Sequence, residues 1–470
     1  MIDRGRARIC AFGPSGAAVL TAIAIAVALA AGGAALANGR APATVGIYFH
    51  PGDPHALYVA STFGLLVSRD DGCTVRWICE TDLGYGGRWD PAYAIAGDGT
   101  IFATTYTGLR VSHDDGCSFA TATAALPPGD PGRIADRWID ALELGSDGTI
   151  WAGTSDTGTP NDVFASTDGG ATFASRGLRS PTMFWKSVKA APSDARRVYV
   201  TGYELAGPPA DGGTLPPPPH AMRSDDAGAH WAELPLAGLI YGPTPIVVAL
   251  AVDPHDPDVV YLVSRGANPP TGDRIYRSPD GGATFAGVLA TAAPVHDVVV
   301  RDAQTVLVAT QRETGLGGTA YASIDAGRSF TPMPNAPHLA CLGTAPDGAL
   351  YGCAANWDPD YMAVTRSLDG GTTFRKVSRF AELAGPLACP DGTAERDTCD
   401  REQWSSVQAQ LAVTGPTCGA QATDAAPASP PPPPRGCCDA GDAQGALVGT
   451  CFVALWRGRR RGARGARAQR

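Results

Sequence analysis

Two short stretches of the chain carry the same chemistry-bearing residue types in nearly the same order. They are Arg88-Trp89-Asp90 and Arg137-Trp138-Ile139-Asp140. An indole can stack on a ligand while arginine and aspartate bond its polar edges, which suits recognition of a sugar or a protein loop. Two carboxylates about 5 to 10 Å apart across a sugar could instead hydrolyse a glycosidic bond. Both chemistries require a scaffold that brings distant parts of the chain together.

A five-residue pattern, Ser-x-Asp-x-Gly, marks the units of that scaffold. It occurs seven times, and its serines are spaced by 44, 54, 58, 54, 45 and 44 residues. The aspartates of the seven copies are Asp70, Asp114, Asp168, Asp226, Asp280, Asp325 and Asp369. Self-similarity at such a period indicates a stacked or circular repeat architecture.

Each copy of the pattern, called a box below, has the chemistry of a tight turn. The aspartate can accept hydrogen bonds from backbone amides ahead of it, and glycine supplies a positive φ. An aromatic residue three positions after the glycine points into an apolar layer; six copies have Phe119, Phe173, Trp231, Phe285, Phe330 and Phe374. The first copy has Val75, with Trp77 two residues on.

This interpretation needs no ligand, and neither a metal nor a cofactor is expected. The boxes lack the additional acidic ligands and the distant glutamate of an EF-hand calcium loop. The sequence also has no Cys-x-x-Cys pair or histidine cluster that would suggest zinc.

The segments around each box predict four strands. In the fifth unit these are Ile246–Val252, Val259–Val263, Arg274–Arg277 and Thr284–Leu289, with the box between the last two. Four strands in each of seven repeats predict an all-β, seven-bladed β-propeller with four-stranded antiparallel blades over residues 44–385. A β-solenoid is the alternative, disfavoured because its coils are shorter.

The box and its aromatic resemble the Asp-box, or BNR, repeat of sialidase-like propellers, sortilin-type receptors and photosystem-assembly propellers. The resemblance covers Thr44 to Gly385 and implies the propeller fold, but it does not imply one function, because enzymes and receptors share the repeat. Sialidases also use an arginine triad, a Tyr–Glu pair and an early Arg-Ile-Pro segment. Here Arg133-Ile134 is followed by Ala135, so a typical sialidase activity is not expected.

A propeller of this kind would bind ligands on the edge opposite the boxes, where the blades are connected and where second and third strands are joined. The candidate ligand-binding residues there are Arg88, Trp89, Asp90, Tyr106, Arg137, Trp138, Asp140, Trp185, Arg312, Trp357 and Tyr361. The candidate catalytic carboxylates are Asp90, Asp140, Asp156 and Asp358. Each of these residues could instead simply fill the central channel.

Three classes of function compete for this edge. A binding or scaffold module for a glycan or protein ligand is favoured, and a glycoside hydrolase is the alternative. An assembly factor of the photosystem type would leave the C-terminal tail unexplained.

The first 37 residues are predicted to be a signal peptide. Arg4, Arg6 and Arg8 precede an apolar run, Ala17–Ala31, and residues 35–37 fit a small-x-small cleavage site. An uncleaved membrane anchor is the alternative. We therefore expect an exported protein.

Beyond the propeller, the sequence divides into a Cys-containing extension (386–425), a proline-rich linker (426–436) and a tail (437–470). Within the extension, Glu402–Leu411 is predicted to form a short helix. In the tail, Cys437-Cys438 precedes an apolar run and seven arginines. This order resembles the MYXO-CTERM sorting tail of myxobacterial surface proteins. The resemblance implies processing near the cysteines by sorting machinery and a membrane anchor at the cell surface. A solvated basic tail is the alternative.

The charge of the chain excludes one class of partner. The whole sequence has a formal charge of −9, and without its two basic termini the body carries about −18. So acidic a body is unsuited to bind nucleic acid.

Eight cysteines remain in the expected exported body, and an even number outside the cytoplasm indicates disulfides. Cys341 and Cys353 flank an Asp-Gly turn on adjacent strands, which predicts that they pair. Cys389 is predicted to pair with Cys399 in a small loop. The sequence does not assign partners to the other four, which are Cys73, Cys79, Cys117 and Cys418.

Overall fold

The computed structural model describes residues 40–86, 89–204, 217–311 and 317–417. Within these residues, seven sheets follow one another along the chain, each with four antiparallel strands in sequential order. The first strands of neighbouring sheets contact one another around a ring. The all-β, seven-bladed propeller with four-stranded blades is therefore confirmed.

The strands of blades 1 to 4 are β1 Thr44–His50, β2 Asp53–Ser61, β3 Gly64–Ser68 and β4 Arg76–Ile78; β5 Tyr93–Ile95, β6 Ile101–Thr105, β7 Gly108–Ser112 and β8 Ala120–Thr121; β9 Ile139–Leu144, β10 Ile150–Thr154, β11 Val163–Ser166 and β12 Ala174–Ser175; β13 Met183–Ala191, β14 Asp194–Glu204, β15 His220–Ser224 and β16 Ala232–Glu233. The strands of blades 5 to 7 are β17 Val247–Val252, β18 Val260–Asn268, β19 Gly272–Ser278 and β20 Ala286–Ala290; β21 Val295–Val300, β22 Val306–Thr310, β23 Tyr321–Ser323 and β24 Thr331–Pro332; β25 Cys341–Thr344, β26 Leu350–Cys353, β27 Val364–Ser367 and β28 Arg375–Ser378.

The boxes form the turns between the third and fourth strands, and all seven make the same hydrogen bonds. In blade 5 the Ser278 hydroxyl donates to Asp280 Oδ1 at 2.8 Å and accepts the Gly282 amide at 2.8 Å. Asp280 Oδ1 also accepts the Thr284 amide at 2.8 Å. Gly282 has φ +88°, which explains why glycine ends the pattern. As predicted, the box aspartate organises a turn through backbone amides.

The hydrophobic core lies between neighbouring blades rather than within one central mass. One cluster combines Tyr58 and Leu65 of blade 1 with Tyr93 and Ile101 of blade 2, and the box aromatic Phe119 packs into it. The predicted aromatic residues of the other boxes likewise contribute to these clusters. Each box thus fixes a turn and supplies a side chain that joins two blades.

The four antiparallel strands of every blade come from one continuous segment of the chain. At the junction of the first and last blades, β1 contacts β25 and β26. The Thr44 hydroxyl donates to the Ala363 carbonyl at 3.1 Å across this junction. The closure therefore rests on packing between blades 7 and 1, and on the segment that follows blade 7.

That segment, residues 385–417, is called the clasp here. It begins with β29, Gly385–Pro386, which pairs in parallel with β4 at the outer edge of blade 1. A π-helix, Glu395–Gln403, then continues directly into α2, Trp404–Leu411, where the sequence predicts a short helix. Two further short helices flank it, α1 at Glu80–Leu83 and a 3₁₀ turn at Phe380–Glu382.

The disulfides tie the clasp to two blades. The predicted Cys341–Cys353 pair forms, because the two residues face each other directly across β25 and β26. The predicted pairing of Cys389 with Cys399 is wrong: Cys389 bonds Cys117 of blade 2, and Cys399 bonds Cys79 of blade 1. The clasp folds back over these blades, so sequence proximity does not decide the pairing.

Cys73 is also disulfide-bonded. No helix in the described ranges is long and apolar enough to span a bilayer. Several predictions fall outside the described residues, namely the signal peptide, the linker, the tail with Cys437 and Cys438, Cys418, Arg88 and Arg312.

Candidate functional site

Three aromatic rings meet on the edge of the ring opposite the boxes. Trp89 precedes β5, Tyr106 lies between β6 and β7, and Trp138 precedes β9. The ring centroids are 5.1 Å apart for Trp89–Tyr106, 5.4 Å for Trp89–Trp138 and 5.1 Å for Tyr106–Trp138. The structure thus brings three of the candidate residues into one cluster, called the aromatic cluster below.

The aromatic cluster is partly open to solvent. Tyr106 is 50% exposed, and both tryptophans are half-buried. Neither Trp89 Nε1 nor Trp138 Nε1 has a hydrogen-bond acceptor among the described residues, although both atoms are buried. A buried donor without an acceptor costs about 1–3 kcal/mol, so native structures usually pair such groups. The cluster therefore offers apolar area together with two unused donors.

A lysine from the next blade borders the cluster. Lys186 Nζ lies 5.7 Å from the centroid of the Trp89 ring and bonds both carboxylate oxygens of Asp140, at 2.7 and 2.9 Å. Lys186 occupies a bulge in β13, where the pairing with β14 shifts register between Trp185 and Ser187. Bulges re-aim side chains, which accounts for its reach towards the channel. Burial raises the pKa of Asp140, and the lysine opposes that shift.

Arg137 and Asp156 form a second ion pair beside the cluster. The Arg137 guanidinium bonds Asp156 and also donates to the Pro160 carbonyl at 2.8 Å. The other oxygen of Asp156 accepts the Trp138 amide at 2.8 Å. The pair therefore fixes the backbone at the start of blade 3 and so positions the Trp138 indole.

Asp90 is held by a residue that the sequence did not single out. Arg40 donates to both of its carboxylate oxygens, at 2.8 and 2.6 Å. Arg40 precedes the first strand, and no motif marks it. The guanidinium reaches Asp90 only because the chain entering blade 1 runs beside the connection to blade 2.

These contacts define the chemistry that the candidate carboxylates can perform. Asp90, Asp140 and Asp156 each bond a cation, whereas Asp358 is exposed on the loop between β26 and β27 of blade 7. Carboxylates paired in this way hold the neighbouring groups in a fixed orientation. The three paired groups thus support the aromatic cluster rather than forming an evident acid and base pair.

The structure corrects one member of the predicted set. Trp185 is only 3% exposed and packs in the core between blades 3 and 4. Its indole donates to the Leu178 carbonyl at 3.1 Å. Strand β13 alternates its side chains, and Trp185 falls on the core side while Lys186 is displaced by the bulge.

Two other candidates lie in blade 7. Trp357 packs edge-on against Phe380 with a centroid distance of 5.8 Å, and Tyr361 lies under the Arg379 guanidinium at 5.7 Å. Both are half-buried. Their contacts are with the segment leading into the clasp, so the structure does not join them to the aromatic cluster.

The central channel contains further ion pairs from the inner strands. Lys189 bonds Glu143 at 2.8 Å, and His296 bonds Asp297 at 3.0 Å. Burial alone would lower the pKa of Lys189, but its pairing with Glu143 raises it. His296, like Lys186, sits at a register shift in its inner strand.

Two cavities in the described residues lie on the box edge instead. One of about 600 Å³ lies between blades 7 and 1 and is lined by Asp71, Arg366 and Lys376 among others. Another of about 390 Å³ lies between blades 1 and 2 and is lined by Asp114, Arg69 and Leu387 among others. Sequence reasoning placed no site there.

One group of possible metal ligands occurs in the described ranges, formed by Cys79, Cys399 and Glu395. Its two sulfurs are bonded to each other as a disulfide. Metal binding by cysteine requires the thiolate, so this group is not arranged as a metal site in the oxidised protein.

Comparison with known proteins identifies the class of fold. No family model and no curated protein matches the chain. An ancestral GH74 enzyme is similar in structure, with 15% identity, a TM-score of 0.52 and coverage of 73% of this chain and 47% of that enzyme. The GH74 xyloglucanase from Xanthomonas campestris has 16% identity, a TM-score of 0.50 and coverage of 73% and 55%. The chain thus spans about half the length of these enzymes.

YCF48 from Cyanidioschyzon merolae also aligns, with 14% identity, a TM-score of 0.44 and coverage of 67% of this chain and 94% of that one. Identities this low show the fold alone, because a propeller hosts many unrelated activities. The protein is a seven-bladed β-propeller, and its structural neighbours include GH74 enzymes.

Proposed function

We propose that this protein is a binding or scaffold propeller whose aromatic cluster binds a glycan or a loop of a protein. One observation carries the proposal: Trp89, Tyr106 and Trp138, from three separate loops, meet with centroids no more than 5.4 Å apart at a partly open edge. Rigid aromatic faces supply contact area at low entropic cost.

The unused donors of the cluster favour a ligand that carries oxygen. Trp89 Nε1 and Trp138 Nε1 are buried without acceptors in the described residues. A hydroxyl or carbonyl oxygen that reached them would satisfy groups that are otherwise costly to bury. Sugar hydroxyls and peptide carbonyls both meet this requirement.

A glycan array with the purified protein, followed by titration of the best glycan, tests this proposal. We expect Tyr106→Ala and Trp138→Ala to weaken binding at least about tenfold, which corresponds to about 1.4 kcal/mol. Trp357→Ala is the matched control, because its indole packs on Phe380. Equal binding by the two cluster variants and the parent would exclude the cluster as the site.

A glycoside hydrolase is the alternative function. It requires an acid and a base on the two sides of a sugar, and Asp90, Asp140 and Asp156 are engaged by cations. The hydrolase would be favoured if the parent released reducing ends from a bound glycan. Asp140→Asn or Asp156→Asn should then abolish this release while binding is retained.

The proposed setting is the cell surface, reached through the N-terminal signal segment and the tail. Its support is the sequence order of Cys437-Cys438, an apolar run and seven arginines. We expect the parent on the surface of intact cells, and Cys437→Ala with Cys438→Ala in the medium or unprocessed. Unchanged surface retention of the double variant would exclude the tail as the anchor.

A further inference from the structure

The clasp meets blade 1 at a joint formed by α1 and the π-helix. The Cys79–Cys399 disulfide crosses this joint. Beside it, the Cys79 amide donates to Glu395 Oε2 at 3.1 Å, and Gln403 Nε2 donates to Thr81 Oγ1 at 2.8 Å. The joint therefore depends on few polar contacts besides the covalent bond.

The joint contains two buried carboxyl groups, one on each of its two helices. Glu395 of the π-helix has no exposed surface, and Asp82 of α1 is 3% exposed. Glu395 Oε1 and Asp82 Oδ2 are both buried without a hydrogen-bond partner among the described residues. Burial with one oxygen unsatisfied disfavours the ionised form of each group and so favours its protonated form, although the Cys79 amide donates to the other oxygen of Glu395.

The surrounding charges do not neutralise this pair. On the blade 2 side, Arg110 attracts the Asp82 carboxylate, but its guanidinium also donates to two carbonyls, of Asp82 and Phe119, and Asp114 opposes it. Glu80, the other acid of α1, is also buried. Five other charged residues of the clasp form ion pairs among themselves, and Glu402 is exposed. The pairs are Arg396 with Asp391 and Asp400, and Arg401 with Asp391 and Asp397.

Release of this joint would uncover aromatic residues. Trp77 of β4 is 2% exposed and packs against Trp404 of α2 with ring centroids 5.7 Å apart. The next stretch, Leu411–Thr417, returns to blade 7, where the Thr414 amide donates to the Ala381 carbonyl at 2.7 Å. α2 therefore lies between the joint and the contact with the segment after blade 7.

We propose that the joint is a proton-controlled latch: it stays closed while Asp82 and Glu395 are protonated, and it loosens when they ionise. The two disulfides to blades 1 and 2 keep the loosened clasp tethered. Opening exposes Trp77 and Trp404, while the seven blades retain their fold.

The direction of the pH dependence follows from burial. Burial raises the pKa of Asp82 to about 7, with Arg110 opposing, and burial raises the pKa of Glu395 to about 8, with the Cys79 amide opposing. The closed joint therefore binds more protons than the open one. Its stability is fully present below the ordinary carboxyl pKa, near 4, and declines as the pH rises towards 7 to 8.

Hydrogen exchange of the intact, disulfide-bonded protein tests the latch. Protection factors are compared at about pH 6 and about pH 8, because one titrating group changes the opening equilibrium up to tenfold per pH unit. We expect residues 395–411 to lose at least about tenfold in protection, whereas residues 247–278 of blade 5 keep theirs. Acrylamide should quench the tryptophan fluorescence more strongly at about pH 8 than at about pH 6, because Trp77 and Trp404 become exposed.

The matched variant is Asp82→Asn with Glu395→Gln, which keeps the side-chain shapes but cannot ionise. We expect its clasp protection to change less than about threefold over the same pH range. The latch is overturned if the clasp of the parent is equally protected at both pH values. It is also overturned if the double variant loses as much protection as the parent. A third result would also overturn the latch: acrylamide quenching in Glu395→Gln alone that depends on pH as it does in the parent.

Discussion

The two edges of the propeller ring distribute their polar residues in opposite ways. On the box edge, seven serine and aspartate pairs make the same hydrogen bonds in every blade. On the opposite edge, the three rings of the aromatic cluster meet where blades 2 and 3 adjoin, and no other blade repeats this cluster in the described residues.

This difference separates two kinds of evidence. A residue type that recurs at the same place in each repeat is explained by the needs of the repeat itself, here a turn and a joint between blades. A group that occurs once is not required by the architecture. The unrepeated edge is therefore the better place to look for binding, and the repeated edge the better place to look for stability.

The largest expected effect concerns Trp185. The sequence placed it among the ligand-binding candidates, but the structure places it in the core. Trp185→Ala should lower the free energy of unfolding by about 3–5 kcal/mol, because it leaves a cavity between blades 3 and 4. Trp138→Ala should cost less, since its indole is half-buried. Urea unfolding measures both. Equal losses would mean that the cluster is as structural as the core.

The disulfide from the clasp to blade 2 gives the next largest effect. Cys117→Ala with Cys389→Ala should cost about 2–4 kcal/mol, because the bond closes a loop across most of the ring. Cys341→Ala with Cys353→Ala is the control, since that bond spans a sequence separation of only 12. Urea unfolding without reductant measures the loss of unfolding free energy in both double variants. A smaller loss from the clasp pair would show that blades 7 and 1 close the ring unaided.

The boxes should be interchangeable in their contribution. Ser278→Ala leaves the buried Gly282 amide without its acceptor and should cost about 1–3 kcal/mol. Ser166→Ala removes the same bond in blade 3 and should cost a similar amount. Tyr106→Ala, on the opposite edge, should leave thermal unfolding nearly unchanged because the ring is half exposed. The division between the edges would be contradicted if the two box variants lost different amounts of stability, or if Tyr106→Ala were clearly destabilised.

The smallest expected effect is a loss of stability at acid pH. Hydrogen bonds from Thr172 and Ser166 lower the pKa of Asp168 to about 2, and the His230 side chain and amide lower that of Asp226 to about 2. Folding therefore favours the ionised forms, and their stabilisation is present above about pH 4 and lost as the pH falls towards 2. Thermal unfolding from pH 5 to pH 2 should depend less steeply on pH in Asp168→Asn. An identical slope would show that this box carboxylate does not contribute.

The accuracy of the sequence predictions follows the range of the interactions. The box turns, the strands of blade 5 and the Cys341–Cys353 pair depend on residues within a few tens of positions, where alternation and turn chemistry decide the geometry. The short helix at Trp404–Leu411 belongs to the same group. Such features can be predicted because their partners are adjacent in sequence.

The predictions that were wrong or missing concern residues whose partners lie far away in the sequence. Cys389 and Cys399 lie ten residues apart, yet each bonds a cysteine more than 270 positions away. Trp185, like Trp138, lies at or near the start of an inner strand, but a bulge and the packing of blade 4 decide which side chain faces the channel. Arg40, which holds Asp90, carries no local signal at all.

The spacing of seven boxes by itself determined the number of blades and the position of each turn, because a Ser-x-Asp-x-Gly turn satisfies its own hydrogen bonds locally. Only the tertiary structure decided that Trp89, Tyr106 and Trp138 touch, that the clasp crosses blades 1 and 2, and that α1 packs against the π-helix. These contacts arise when the ring closes. Closure brings together side chains whose separation along the chain carries no information about their distance in space.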